Sequence, residues 1–160
     1  FEKHSMDVKH LADKGDVYTS DKDRNILSGI DILKVVRTDG KTLHPAQKPE
    51  DVVALLASSK QNHFAVVDEK NRFIGLIDFD NIRHIAFNNF QIKYSSLADM
   101  MTLPQYIASV EDSVETIMEK FEYAKTDYLP ILRDNKYYGF IYKCDVLESY
   151  RDKLREMVIE

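Results

Sequence analysis

The sequence predicts an α/β fold of the α+β kind, built from two copies of one strand, helix, strand, strand, helix unit. Two stretches carry that prediction. Phe64 to Arg83 reads Phe-Ala-Val-Val-Asp-Glu-Lys-Asn-Arg-Phe-Ile-Gly-Leu-Ile-Asp-Phe-Asp-Asn-Ile-Arg, and Asp127 to Leu147 reads Asp-Tyr-Leu-Pro-Ile-Leu-Arg-Asp-Asn-Lys-Tyr-Tyr-Gly-Phe-Ile-Tyr-Lys-Cys-Asp-Val-Leu. Each spells a short apolar run, a polar turn, a β-prone run and a helix start. The third observation is spacing. Val52 matches Val114, Phe64 matches Leu129, Gly75 matches Gly139 and Asn81 matches Asp145, at offsets of 62, 65, 64 and 64. The changes in offset fall in loops, where length costs little. A sheet this small is too exposed to stand alone, so each copy is expected to bury its face against the other.

Composition narrows the function classes. The chain has 160 residues, 44% hydrophobic and 31% charged, which is ordinary for a folded soluble domain. Its net charge of -5, with both signs interspersed, gives no footprint for nucleic acid or an anionic membrane. Cys144 stands alone, so no internal disulfide or clustered-thiolate site can form, which suits a reducing, cytosolic setting. The longest helix-like apolar run, Val52 to Ala57, is far too short to span a bilayer. The start at Phe1, without initiator Met or signal pattern, reads as a portion of a longer protein.

Taken in order, Phe1 to Asp23 is a polar lead-in with weak helical spacing through Met6, Val8 and Leu11. Ile26 to Val36 predicts a short helix and then an extended piece, interrupted at Gly29 and closed by Asp39-Gly40. Lys48-Pro49-Glu50-Asp51 opens a helix whose buried face is Val52, Val53, Leu55 and Leu56 and which ends near Ser58-Ser59. The first strand pair is Phe64 to Val67 with Phe73 to Ile77, followed by helical spacing over Asn81 to Asn88. A polar connector, Asn88 to Ser96, leads to the second copy: Leu97 to Met101, Tyr106 to Val110, the helix signal Asp112-Ser113-Val114-Glu115, the Asp127 to Leu147 stretch, and a final helix from Val146 to about Val158.

These residues resemble the cystathionine-beta-synthase (CBS) domain, a family that occurs in tandem pairs. The marks are a strand written hydrophobic, Pro, hydrophobic, hydrophobic (Leu129-Pro130-Ile131-Leu132; Phe64-Ala65-Val66-Val67), then Gly, two hydrophobics, Thr, two residues and Asp. That last motif reads Gly139-Phe-Ile-Tyr-Lys-Cys-Asp145 and Gly75-Leu-Ile-Asp-Phe-Asp-Asn81. The resemblance implies a tandem CBS pair of β-α-β-β-α repeats packed as a pseudo-twofold module, with 31–94 and 95–160 as the two domains. Glu2 to Met6 and Leu11 to Asp16 are similar to the connector of chloride channel (CLC) family proteins. That second resemblance implies that 1–30 leads in from a membrane domain, placing the module on the cytoplasmic face.

CBS pairs bind adenine nucleotides in clefts between the halves. Carried over by residue, the resemblance implies Asp145 on the ribose hydroxyls, Tyr142 and Lys143 at the phosphates beside a helix N-terminus, and Leu43, Gln61, His63 and Phe64 along the adenine. Tyr142 and Ala65 depart from the family's Thr and Pro. The mirror cleft, with Asp78, Asn81, Asp127 and Tyr128, is expected to be degenerate, since Asn81 replaces the carboxylate and Asp78 repels phosphate. Asp145 reads equally as a plain helix N-cap, and for Asn81 the N-cap reading is the better one. His4, His10, His44, His63 and His84 lack the pairing of a metal site, and no nucleophile has a local base, so neither catalysis nor a required cofactor is expected. The resulting expectation is a regulatory module of a CLC-type channel or transporter that senses ATP, ADP or AMP. Its partners would be the transport domain of the same chain and a second copy. The alternative is a ligand-free structural and dimerisation module.

Overall fold

A computed structural model describes residues 21–86, 88 and 93–159. In chain order the elements are helices α1 (Asp21–Ser28), α2 (Ile32–Val35) and α3 (Pro49–Ser58), strands β1 (His63–Val67) and β2 (Phe73–Asp78), helices α4 (Phe79–Ala86) and α5 (Leu97–Met100), strand β3 (Ala108–Ser109), helix α6 (Val114–Ala124), strands β4 (Tyr128–Arg133) and β5 (Lys136–Tyr142), and helix α7 (Lys143–Ile159). The fold is mixed α/β with the expected duplication. The chain divides into two compact units. The early unit takes residues 38–105 and 132–139, and the late unit takes the described residues up to Arg37, 106–131 and those from Phe140 on. The helical spacing expected at Met6, Val8 and Leu11 lies outside the described residues.

In the early unit, α3 begins at Pro49 with Glu50 and Asp51 in its first turn, where a missing N–H is harmless and negative charge suits the helix dipole. Val52 and Leu56 turn inward to a core with Leu43, Phe64, Val66 and Ile77. Strands β1 and β2 pair antiparallel with His63 opposite Asp78 and Phe64 opposite Ile77, and a bulge falls between Val66 and Val67. Single residues extend this ribbon on both sides. Leu43 donates to the Ala65 carbonyl and accepts from Val67 N–H, both at 2.9 Å, while Thr102 and Leu76 exchange two bonds of 2.8 Å. The expected first strand of the early repeat is thus one bridged residue, Leu43, and its late counterpart is the two-residue β3. Gly75 lies under the Thr102 crossing. A Cβ there would meet Met101 Sδ at 3.1 Å and the Thr102 carbonyl at 3.3 Å, so the backbone approach leaves no room for a side chain.

The β1–β2 turn is organised by Asp68. Its Oδ1 accepts from the N–H groups of Lys70 and Arg72, and its Oδ2 accepts from Arg72 Nε at 2.7 Å. The Arg72 backbone bond, with the other donors, holds the Asp68 carboxyl below the usual carboxylate range. Asn71 adopts the left-handed conformation this turn needs, with φ 61°.

The late unit packs α1 against α6 and α7, and α2 against α7. Its buried side chains include Ile26, Leu27, Ile117, Phe121, Leu129, Ile131 and Ile141. The extended piece expected after the first helix is shorter than predicted. Asp31 accepts the Leu33 N–H at 3.1 Å and restarts a helical turn at Ile32, so extension is confined to Val36 and Arg37. Arg37 then bridges Phe140 through main-chain bonds of 2.9 and 3.0 Å. Ser113 caps α6 by accepting the Thr116 N–H at 3.1 Å, and Lys125 ends it with φ 52° and ψ 45°. Tyr150 of α7 donates to Asp23 of α1. Burial, then that hydrogen bond, pushes the phenol up to about 12.

Strands β4 and β5 are joined by Asp134 and Asn135, both with positive φ (53° and 63°), the signature of a type I′ turn that matches strand twist. The tip of this hairpin belongs to the early unit. There Tyr137 donates to the Asn71 carbonyl at 2.9 Å, Asn71 Nδ2 donates back to the Tyr137 carbonyl at 3.0 Å, and the Phe73 and Tyr137 rings stack at 6.4 Å.

Candidate functional site: two strand-to-helix junctions

In the late unit β5 runs without a loop into α7. Tyr142 is the last strand residue, Lys143 the first helical one, and Asp145 the third. The helix therefore begins three residues before the expected Val146, and Asp145 is not its N-cap. A main-chain bond from Lys143 N–H to the Asp127 carbonyl, 2.8 Å, locks the junction. Tyr128 packs behind it, its ring 6.1 Å from that of Tyr142 and edge-on to Phe140 at 5.8 Å. Five predicted site residues, Asp127, Tyr128, Tyr142, Lys143 and Asp145, are thus neighbours.

One residue the sequence reading passed over dominates this cluster. Arg37 Nε donates to Asp145 Oδ2 at 2.7 Å and its Nη2 donates to Oδ1 at 2.9 Å, a two-pronged carboxylate clamp. Its guanidinium carbon lies 4.4 Å from the centre of the Tyr142 ring, within cation–π range. The hydrogen bond to Asp145 raises the Arg37 pKa despite some burial. The Asp145 side chain is 21% exposed and that of Arg37 54%, so the pair sits at the surface. Arg37 lies 108 residues from its partner and just outside the repeated motif. The available signal is a guanidinium directly after the apolar run that ends at Val36.

The early unit builds the same junction from other side chains. Asp78 ends β2, Phe79 opens α4, and Phe79 N–H donates to the Asn62 carbonyl at 2.9 Å. Asn81 is the third residue of α4, not its N-cap, and its side chain lies outside the described residues. Asp78 Oδ1 accepts the Asp80 N–H at 2.9 Å, so its charge serves the helix start. His63 faces Asp78 across the ribbon. Burial lowers the His63 pKa, and the nearby Asp78 charge partly opposes that.

The other residues expected along adenine are also placed. Leu43 and Phe64 are core residues with 1% and 0% exposure. The Gln61 amide is committed to backbone. Oε1 accepts Lys41 N–H at 3.0 Å, and Nε2 donates to the Lys41 carbonyl at 3.0 Å and the His63 carbonyl at 2.9 Å.

None of the predicted site residues lines the groove of about 280 Å³ formed in the late unit by Ile30, Asp31, Lys34, Asp152 and Lys153, among others. Among the described residues no group of three His, Cys, Asp or Glu could hold a metal ion, and no helix is long and apolar enough to cross a membrane.

Two repeats, each running a β-hairpin directly into a helix, define a tandem α/β module. The chain belongs to the CBS domain family, whose model matches residues 26–87 and 97–152. Solved structures of similar fold include CbpB from Streptococcus agalactiae, 18% identical, with 88% of this chain and 92% of that one covered and a TM-score of 0.69. CbpB in complex with c-di-AMP is 16% identical, with 86% and 95% covered and a TM-score of 0.71. CBSX2 in complex with AMP is 19% identical, with 78% and 98% covered and a TM-score of 0.63. At these identities the likeness is one of fold. Comparison with curated proteins gives no match.

Proposed function

We propose that this CBS pair is a regulatory module that binds an adenine nucleotide, with Asp145 taking the ribose hydroxyls. The observation that carries the reading is the position of Asp145. It is a surface carboxylate in the first turn of α7, a 17-residue helix whose N-terminal amides offer positive potential to phosphate, with Lys143 at its first position. The complexes of CbpB with c-di-AMP and of CBSX2 with AMP support that ligand class. At the equivalent place in the early unit, Asp78 sets its own carboxylate on a first-turn amide of α4. The late junction is therefore the better anion site of the two.

Calorimetric titration with AMP, ADP, ATP and c-di-AMP tests this. Binding that falls at least tenfold in Asp145→Ala is expected, in line with losing a pair of charge-assisted hydrogen bonds. An absence of heat in the low-millimolar range, or an unchanged affinity in Asp145→Ala, would leave the structural and dimerisation reading. The finer assignment, to the cytoplasmic side of a CLC-type chloride channel or transporter, rests on Glu2 to Asp16, which lie outside the described residues. Membrane spans encoded upstream of Phe1 would support it, and a soluble neighbour there would remove it.

A further inference from the structure

Taken with the nucleotide reading above, on which it rests, the Arg37 clamp gives this site a built-in competitor. We infer that Arg37 is a pseudo-ligand of Asp145: any ribose that takes the carboxylate must first break the guanidinium fork. The two N–H donors already occupy both oxygens, at 2.7 and 2.9 Å. Each oxygen keeps a second lone pair, but a vicinal diol approaching the two-pronged edge with its own two donors competes with the fork for it. The guanidinium also rests on the Tyr142 face, which adds to what an incoming ligand must displace.

The early junction indicates that the clamp is not a by-product of the fold. There Thr102 occupies the place of Arg37, bridging Leu76 through main-chain bonds as Arg37 bridges Phe140. The bridge therefore needs no guanidinium. What Arg37 adds is a side chain long enough, and forked correctly, to reach the third residue of the following helix. Arg37 lowers the apparent affinity of the site, and whatever loosens its fork raises it.

The test is titration of the whole chain with adenosine and with AMP, in the wild type, Arg37→Thr and Arg37→Lys. Exposed ion pairs and cation–π contacts are each weak, so Arg37→Thr is expected to tighten both ligands by about 3- to 20-fold. Arg37→Lys should fall between, because an ammonium keeps the charge but loses the fork. The gain must also vanish when Asp145→Ala is already present. Unchanged adenosine affinity in Arg37→Thr overturns the inference while leaving nucleotide binding intact. Weaker AMP with unchanged adenosine likewise overturns it, making Arg37 a phosphate contact. No binding of either ligand by any of the three proteins overturns the nucleotide reading and the competitor together.

Discussion

At matched places the early unit carries Thr102, Asp78 and Asn81, and the late unit carries Arg37, Tyr142 and Asp145. The backbone frame is common to both: a residue bridged to the second strand, an unbroken passage from strand to helix, and a main-chain bond that locks it. The charges are used differently. Asp78 spends its carboxylate on a local N–H two residues away, whereas Asp145, three positions further along its own repeat, reaches a cation 108 residues distant. The first arrangement stabilises a helix start. The second creates an exchangeable tertiary contact whose partner a ligand could replace. One backbone frame thus serves twice, with the carboxylate used as a helix cap in the early unit and as half of a long-range ion pair in the late one.

The largest test of the shared frame is in the core. Phe64→Ala and Leu129→Ala occupy equivalent strand positions, both at most 1% exposed, and should cost about 3–5 and 2–5 kcal/mol respectively in denaturant unfolding. A loss below 1 kcal/mol at either would break the equivalence. Next, Asp78→Ala should cost about 1 kcal/mol through the lost helix cap. Arg37→Thr should cost at most about 1 kcal/mol, since its ion pair is exposed. A reversed order would make the clamp the structural device and Asp78 the dispensable one.

His63 separates the units by pH. Its folded pKa lies below the ordinary value of about 6.5, chiefly through burial, so the unfolded chain binds the proton more readily. The stability it contributes is complete above that ordinary value and is lost as pH falls below it toward the folded pKa. His63→Tyr, which copies Tyr128, should flatten the decline in melting temperature between pH 7 and pH 5. An unaltered slope would show that His63 does not drive it. The smallest expected effect is at the helix ends: α3 stops in extended backbone at Ser59, whereas α6 ends on left-handed Lys125. Lys125→Gly should therefore gain up to about 1 kcal/mol, read as a raised melting temperature.

Features set by neighbours in sequence were legible. Pro49 with its two acids marked α3, and short apolar runs on either side of a polar turn marked the strands. The junctions were legible as places but not in their chemistry. The sequence pattern places the start of α7 three residues late, with Asp145 as a cap, whereas Asp145 lies in the first turn and pairs with Arg37. No local pattern announces a contact between residues so far apart in the chain. Strand register is equally invisible to local pattern: it sets His63 opposite Asp78, and Tyr128 packs on Tyr142.

Helix α1 packs against α6 and α7, the last of which ends at Ile159. During synthesis Ile26 and Leu27 must wait until α6 and α7 have been made before their apolar surface is covered. At ordinary elongation speeds of about 5–20 residues per second, that delay is on the order of ten seconds. A ribosome paused before α7 would display this apolar surface to chaperones, even though every residue of the first repeat had already been made.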